Sequence, residues 1–297
     1  MSGTLYLIPN RISFTAPAET LPQETLAAVR GCRRFLAENA RSARAFLKAI
    51  GHPGPIAELS IAEIGHEPDP AQFDAWLAPV AAGEDAGVVS ESGCPGVADP
   101  GAGIVARAHA LGIRVRPMVG PCSILLTLMA SGMNGQRFRF LGYLPIADNE
   151  RAEALRALER ASRAPHAGGG EVAFDGETQL FIETPYRNNR MLEAMTEIFA
   201  PDTRITAAVD VTGDEESIRT LTAREWKPLV GTLPKLPTVF AVLASPSAAP
   251  KAHKTSKAPH PAKSLLKGSA PAATHKKAPA ARGTSHVPHP RRTPKKH

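Results

Sequence analysis

Short apolar runs alternate along the chain with longer stretches in which apolar residues recur every three or four positions. The first pattern is typical of buried strands and the second of helices packed on one face. Strands are predicted at residues 4–8, 33–37, 86–90, 113–116, 138–142, 179–183, 204–211 and 238–244, and helices at 22–30, 40–50, 70–82, 103–111, 123–130, 149–161 and 188–199. Residues 222–226 are predicted to be exposed and residues 163–171 to form a surface loop. This alternation predicts an α/β fold.

The periodic pattern ends near residue 245. Residues 246–297 consist mostly of Ala, Pro, Lys, Ser and His and have almost no apolar periodicity, so we expect a disordered tail. The remaining length favours two domains, because a single domain usually holds about 100–200 residues.

Charge is divided unevenly between the tail and the rest of the chain. Residues 251–297 contain nine Lys, three Arg and no acid, whereas the preceding 250 residues contain 23 basic and 28 acidic residues. The net charge of +7 therefore comes from the tail, and a basic folded domain that binds nucleic acid is not indicated. Unpaired Lys and Arg attract phosphates whatever the sequence. The tail is expected either to assist RNA binding or only to tether and solubilise the protein.

The cysteines and the apolar runs indicate the compartment. Cys32, Cys94 and Cys122 are odd in number and lack CxxC spacing, which fits a reducing compartment and favours neither disulfides nor zinc. No apolar run approaches the roughly 18 residues of a membrane span, and the N-terminal apolar stretch is too short for a signal peptide. We expect a cytoplasmic protein without membrane contact.

The histidines before the tail lack ligand spacing, so no metal site is expected.

The segment SESGCPGVADPG, residues 90–101, is the most informative for chemistry. It places three glycines and two prolines directly after a predicted strand. In open α/β sheets, ligands bind beyond the carboxyl ends of strands, where glycine-rich turns expose peptide groups. A plain surface connection has the same composition, and these residues alone do not decide between the two.

Other common motifs are weak or absent. Gly101, Gly103 and Ala106 fit the dinucleotide pattern GxGxxG/A, but no acid follows over residues 107–147 to bind a ribose. Walker A, GxSxG and HExxH motifs do not occur, which removes the simplest support for nucleotide hydrolysis, serine hydrolysis and zinc peptidase activity.

Taken in order, six segments resemble the tetrapyrrole methylase superfamily, and within it the branch of ribosomal RNA small subunit methyltransferase I. GTLYLIPN (3–10) is similar to the first strand and cofactor loop of that branch, and ENARSARAFL (38–47) to its second segment. SESGCPGVADPG stands at the Gly/Asp/Pro cofactor loop. MVGPCS (118–123), FRFLGYLP (138–145) and FIETPYRN (181–188) resemble the interdomain turn, the start of the second domain and the Glu-x-Pro-x-Arg segment.

This resemblance implies two αβα domains, at residues 1–117 and 118–245, with S-adenosylmethionine in the cleft between them, a homodimer and no metal. The cofactor contacts carry over to Pro9, Ser90, Glu91, Ser92, Gly93, Pro95, Asp99, Gly101, Pro121, Cys122 and Ser123. Asp99 is expected to orient the loop or the amino group of the cofactor. The implied substrate is the 2′-hydroxyl of a cytidine ribose in small-subunit ribosomal RNA.

Three departures from the family pattern bear more on substrate identity than on cofactor use. Pro9 and Asn10 are followed by Arg11 and Ile12 where the family has a glycine. DVTG (210–213) stands where the branch has Glu-Leu-Thr-Lys, and Pro-Tyr-Arg (185–187) where it has Pro-His-Arg.

Methyl transfer from a sulfonium is an in-line displacement, so the protein mainly has to align acceptor, methyl and sulfur. A base assists, because a neutral ribose hydroxyl is a poor nucleophile. The candidate bases are Glu38, Glu183 and Asp210, each at or near the end of a predicted strand. Alternatively, Glu38 pairs with Arg41 and Glu183 with Arg187.

Three functions stay open at this point. The first is an RNA ribose methyltransferase, the second a C-methyltransferase acting on a tetrapyrrole, and the third a binding protein that has kept the fold without catalysis. A carboxylate-rich tetrapyrrole would require clustered arginines and has no evident use for the tail. The altered first loop and DVTG would suit a non-catalytic protein.

Overall fold

The computed structural model describes residues 2–163 and 176–244. All of these residues belong to one compact unit. The predicted disordered tail and nearly all of the predicted loop at residues 163–171 lie outside the described residues. Among the described residues, no helix combines the length and the apolar character needed to span a bilayer.

The first part of the chain folds into a parallel sheet with helices on both faces. Its elements are β1 Thr4–Ile8, α1 Pro17–Thr20, α2 Gln23–Gly31, β2 Arg34–Ala37, α3 Ala40–Ala49, β3 Ser60–Glu63, α4 Phe73–Ala81, β4 Ala86–Val89, α5 Ala102–Ala110 and β5 Arg114–Pro117. The strand order is β3-β2-β4-β1-β5, and all neighbours are parallel.

A crevice opens at the carboxyl ends of β1 and β4. These strands are neighbours, but the chain leaves β1 towards β2 and leaves β4 towards β5, in opposite directions along the sheet. One buried cluster includes side chains of α2 and α3, and another includes side chains of α4 and α5, so the two connections cover different faces. Ligands of open α/β sheets bind at such a switch point.

The second part of the chain forms a mixed sheet. Its elements are α6 Ser123–Ser131, β6 Phe138–Tyr143, α7 Asp148–Ser162, β7 Thr178–Glu183, α8 Asn188–Ile198, β8 Arg204–Val209, β9 Ser217–Thr222, α9 Ala223–Trp226 and β10 Thr238–Leu243. The strand order is β6-β7-β10-β8-β9, in which β6 and β7 are parallel and the other neighbours antiparallel. β10 is buried along its whole length, and its Phe240 stacks on Phe181 of β7 in the main core cluster of this sheet.

Most predicted elements are confirmed, and four predictions need correction. β3 and β9 were not predicted as strands, and the short helix α1 was placed in a loop. Trp226 was expected to be exposed but is fully buried, and its indole N–H donates to the carbonyl oxygen of Ile205 at 2.8 Å. β8 ends at Val209 rather than at residue 211, because Asp210 has a φ of +47° and turns the chain. The division into domains at residues 1–117 and 118–245 stays a prediction.

Candidate functional site

The glycine-rich loop begins where β4 ends, beside the crevice. Gly93, Gly96 and Gly101 have positive φ values, and Ala98 joins them at +62°. Glycine adopts this conformation without steric cost, which lets the segment fold back on itself. A hydrogen bond from the Gly96 N–H to the carbonyl oxygen of Pro100, at 3.1 Å, closes the turn. The predicted cofactor loop is therefore a preformed turn at the switch point.

Asn10 joins the first loop to this glycine-rich loop. Its backbone N–H donates to the carbonyl oxygen of Gly93 at 2.8 Å, and its side-chain amide donates to the carbonyl oxygens of Ser90 and Glu91, both at 3.1 Å. Only 5% of Asn10 is exposed. The first loop departs from the family pattern after this residue, yet it is anchored by three hydrogen bonds.

The turn before α6 packs against the same place. A Cβ atom at Gly120 would lie 2.4 Å from the Cβ of Pro9, so the two loops approach each other at a distance that only glycine permits. The Thr25 hydroxyl donates to the carbonyl oxygen of Val119 at 2.7 Å and fixes the turn to α2. The loops that follow β1, β4 and β5 therefore meet at one point.

A cavity of 220 Å³ lies between these loops and the second sheet. Five of the predicted cofactor residues line it: Ser92, Gly93, Asp99, Cys122 and Ser123. The second part of the chain contributes Tyr143, Ile182, Glu183, Ala208, Val211, Pro237, Thr238 and Val239. We call this the main cavity.

A side cavity of 280 Å³ adjoins the main cavity and shares Ile12, Ser92 and Pro237 with it. Glu91 and Asp210 line the side cavity. Together the two volumes fall within the roughly 300–1,000 Å³ typical of small-molecule sites. The other predicted cofactor residues lie around the loops rather than in the main cavity; they are Pro9, Ser90, Pro95, Gly101 and Pro121.

Asp99 is the predicted cofactor residue with a perturbed acidity. Burial raises the pKa of its carboxyl to about 6, and the nearby carboxylates of Glu38 and Glu91 act in the same direction. A carboxylate poised close to neutral pH in a cavity is typical of a functional site.

Glu38, a candidate base, is buried beside the loop but does not line the main cavity. One carboxylate oxygen accepts the backbone N–H of Glu91 at 3.0 Å, and the other lies 2.6 Å from Nδ1 of His66. Its side-chain partner is thus His66 rather than Arg41. Ligand-type atoms of Glu38, His66 and Glu91 lie within 4.8 Å of one another, a grouping that the histidine spacing did not predict.

Glu183, the second candidate, lines the main cavity and is also ion-paired. Its Oε1 accepts from the Thr184 N–H at 2.6 Å and from Nη2 of Arg187 at 2.6 Å. The predicted pairing with Arg187 is therefore confirmed. The pair holds the carboxylate in a fixed orientation at the end of β7.

Asp210, the third candidate, organises the turn between β8 and β9. Its N–H donates to the carbonyl oxygen of Pro237 at 2.9 Å, and its carboxylate accepts the Glu215 N–H at 3.0 Å. A Cβ atom at Gly213 would lie 2.1 Å from Oδ2 of Asp210. The DVTG sequence thus has a structural reason, because a lysine at 213 would clash with this carboxylate.

Several lining residues were not named as site residues from the sequence. Tyr143 ends β6 within the segment FRFLGYLP, Pro237 immediately precedes β10, and Thr238 begins it. Cys94 lies inside the glycine-rich loop, but neither its side chain nor its nearness to Cys122 was predicted. These residues come together only through the packing of the second sheet against the loops.

Comparison with known proteins places the chain in a family. No model of a known protein family matches the sequence. Ribosomal RNA small subunit methyltransferase I of Mesorhizobium japonicum is 30% identical over 226 residues, which are 75% of this chain and 69% of the relative. The protein of the same name from Pseudomonas aeruginosa is 28% identical over 224 residues, 75% of this chain and 72% of the relative.

The chain belongs to the ribosomal RNA small subunit methyltransferase I family. It is an S-adenosylmethionine-dependent methyltransferase, as the resemblance implied. Among solved structures, the methyltransferase CobJ matches with a TM-score of 0.51 and 20% identity, over 82% of this chain and 93% of that protein. This likeness confirms the α/β fold class of the tetrapyrrole methylases. In this chain, the preformed loop and the two adjoining cavities form the candidate site of methyl transfer.

Proposed function

We propose that this family member transfers the methyl group of S-adenosylmethionine to a ribose 2′-hydroxyl of small-subunit ribosomal RNA. The names of the relatives state that they methylate small-subunit ribosomal RNA. The observation that carries the proposal is a set of exposed aromatic side chains around the two cavities. Phe14 lines the side cavity and is 89% exposed, and Tyr143 lines the main cavity and is 60% exposed.

A third exposed aromatic lies next to the Glu183 pair. Tyr186 is 84% exposed, and Nζ of Lys235 lies 5.8 Å from the centre of its ring. Proteins bind unpaired RNA bases by stacking them on aromatic rings and by placing cations near the backbone. Exposed aromatic rings are unfavourable in water, and stacking against a nucleotide base would cover them. A small hydrophilic acceptor would leave them exposed.

The lining of the main cavity offers chemical groups that suit the cofactor. Gly93 lines it with backbone alone, and its φ of +69° favours glycine over any residue with a side chain. The Asp99 carboxylate can accept from amino groups, and the Ser92 and Ser123 hydroxyls can donate or accept. When bound, the cofactor supplies a methyl group on a sulfonium leaving group. We assign Ser92, Gly93, Asp99, Cys122 and Ser123 to holding it.

Glu183 is the carboxylate that best fits the role of base. It alone of the three candidates lines the main cavity, and its pairing with Arg187 holds it in one orientation. We expect Glu183→Gln to lower kcat by about 10²- to 10⁴-fold and to leave the Kd of the cofactor unchanged, because glutamine still accepts from Arg187. Glu193→Gln, on α8, is the control. An unchanged kcat in Glu183→Gln would show that Glu183 is not the base.

Two further features belong to the proposal. Val119, Leu125 and Met129 are apolar and at least 49% exposed around α6, and we propose that this face is covered by a second copy in a homodimer. We further propose that the protein works in the cytoplasm, where the unpaired state of Cys32, Cys94 and Cys122 is expected. The basic tail would add salt-sensitive affinity for RNA.

A tetrapyrrole acceptor is less well supported. A substrate with several carboxylates would need clustered cations, and no Lys or Arg is among the described residues that line the main cavity. The likeness to CobJ concerns the fold alone.

The deciding experiment is transfer of labelled methyl to small ribosomal subunits from a strain that lacks this gene. We expect label in a ribose of the RNA after nuclease digestion. Label in a base or in protein, or no label while calorimetry still detects cofactor binding, would contradict the proposed acceptor.

A further inference from the structure

Two cysteines from different loops meet in the main cavity. Cys94 belongs to the glycine-rich loop, and Cys122 immediately precedes α6. The Cys94 thiol donates to the carbonyl oxygen of Pro121 at 3.5 Å, so its Sγ lies beside the backbone that leads directly into Cys122. Both are partly accessible, and neither is in a disulfide.

The two sulfur atoms differ in reactivity. The neighbouring Cys94 thiol, together with the N–H groups of Leu125 and Ile124 at the start of α6, lowers the pKa of Cys122 to about 6. A lowered pKa favours the thiolate, which is the nucleophilic form. The same interaction raises the pKa of Cys94 and favours its protonated form. A thiolate with a thiol beside it is the arrangement of a reactive cysteine and its resolving partner.

We propose that Cys94 and Cys122 form a reversible disulfide when the protein meets a peroxide, and that this disulfide prevents cofactor binding. The Cys122 thiolate attacks one oxygen of hydrogen peroxide: an S–O bond forms, the O–O bond breaks and hydroxide leaves. Cys94, after losing its proton to hydroxide, attacks the Cys122 sulfenic acid. The S–S bond forms, and the sulfenic oxygen leaves and is protonated to water. Two thiols and one peroxide thus yield one disulfide and two waters.

The disulfide would change the cavity itself. A covalent S–S bond is about 2.05 Å long, shorter than any hydrogen-bonded contact between sulfur atoms. Its formation draws the glycine-rich loop towards the start of α6, and Gly93 and Ser123, which flank the two cysteines, line the same cavity. The loss of cofactor binding rests on the proposed cofactor site, whereas the formation of the disulfide does not.

Cys32 provides an internal control. It is buried in the core of the first sheet, and burial, with a contribution from Asp85, raises its pKa to about 12. It should not react under conditions that oxidise Cys122.

The test treats the full chain with hydrogen peroxide and maps its peptides by mass spectrometry. We expect a Cys94–Cys122 link with the loss of two hydrogen atoms, Cys32 still reduced, and full reversal by dithiothreitol. Cys94→Ser should stop at a sulfenic acid on Cys122 that dimedone captures, and Cys32→Ser should form the link like the wild type. Failure of Cys32→Ser and the wild type to form the link, or a link that involves Cys32, would overturn the proposal.

Cofactor binding is measured separately by calorimetry on the reduced, oxidised and re-reduced protein. We expect oxidation to weaken the Kd at least about tenfold and dithiothreitol to restore it. A disulfide that leaves the Kd unchanged would overturn the effect on the cofactor. If the reduced protein itself binds no S-adenosylmethionine, the proposed site fails, while the peptide map still decides whether the disulfide forms.

Discussion

At the scale of single residues, motifs located the loops but not the interactions within them. The glycines and Asp99 of residues 90–101 were recognisable because they directly follow a predicted strand and stand in order among the six segments that resemble the family. Asn10 was noted only for the missing glycine after it, yet its side chain hydrogen-bonds the first loop to the glycine-rich loop. Partners such as His66 for Glu38 could not be predicted from the sequence, because the fold brings these side chains together.

Asn10→Ala should weaken cofactor binding. The substitution removes the two side-chain hydrogen bonds to the loop and leaves buried carbonyl oxygens unpaired, at a cost of about 1–3 kcal/mol in unfolding free energy. The loop then samples other conformations, so we expect a Kd for the cofactor about tenfold weaker by calorimetry.

The matched control is Thr222→Ala, which breaks the capping box of α9, remote from both cavities. It should cost about 0.5–2 kcal/mol and leave the cofactor Kd unchanged. Equal effects of the two variants on the Kd would mean that Asn10 acts through overall stability and not through the loop.

Asp99 makes stability depend on pH. Its folded-state pKa of about 6 lies above the ordinary value of 3.8, so between these values the folded protein binds more protons than the unfolded one. Stability is therefore lost as pH rises through this window. We expect the unfolding free energy of Asp99→Asn at pH 8 to exceed that of the wild type by on the order of 1 kcal/mol after allowance for solvent screening. The variant should therefore unfold at a higher temperature. The difference should vanish near pH 4, and a difference that is constant with pH would contradict this assignment.

At the scale of elements, every buried strand was predictable, whereas two of the four edge strands, β3 and β9, were not. β4 and β10 are buried at every position and, apart from Thr238, contain no polar side chain, which gives a clear signal. β3 and β9 lie at sheet edges with partly exposed, polar sequences, SIAE and SIRTLT. Edge strands pair on one side only and carry polar residues that oppose aggregation, so their sequences resemble loops.

β4 depends on a glycine at its centre. A Cβ atom at Gly87 would lie 2.3 Å from Cδ1 of Ile8 and 3.1 Å from Cδ1 of Phe35, both fully buried. We expect Gly87→Ala to destabilise the protein by about 1–3 kcal/mol through overpacking, measured by urea denaturation. Gly31→Ala is the control, because nothing lies within 4 Å of its added Cβ. A Gly87→Ala variant as stable as Gly31→Ala would show that the side chains of Ile8 and Phe35 can move aside without cost.

At the scale of the whole molecule, length and alternation gave the fold class, but the mixed strand order of the second sheet did not follow from them. Parallel and antiparallel neighbours both bury apolar strands, and only the three-dimensional packing distinguishes them.

The distribution of charge, by contrast, can be read directly from the sequence. Residues 1–250 carry an excess of acid, which would repel RNA, and residues 251–297 carry twelve positive charges.

This charge division predicts how RNA affinity depends on the tail. Each phosphate that the tail neutralises adds about −0.7 to −0.9 to the slope of log affinity against log salt concentration. Deletion of residues 251–297 should therefore weaken RNA binding and flatten that slope, with the cofactor Kd unchanged. A full-length variant with the nine Lys and three Arg of the tail changed to Gln separates charge from length, and it should behave like the deletion. If both variants keep the slope of the intact chain, the RNA is held by the acidic body, and the exposed rings around the cavities must supply the affinity without help from the tail.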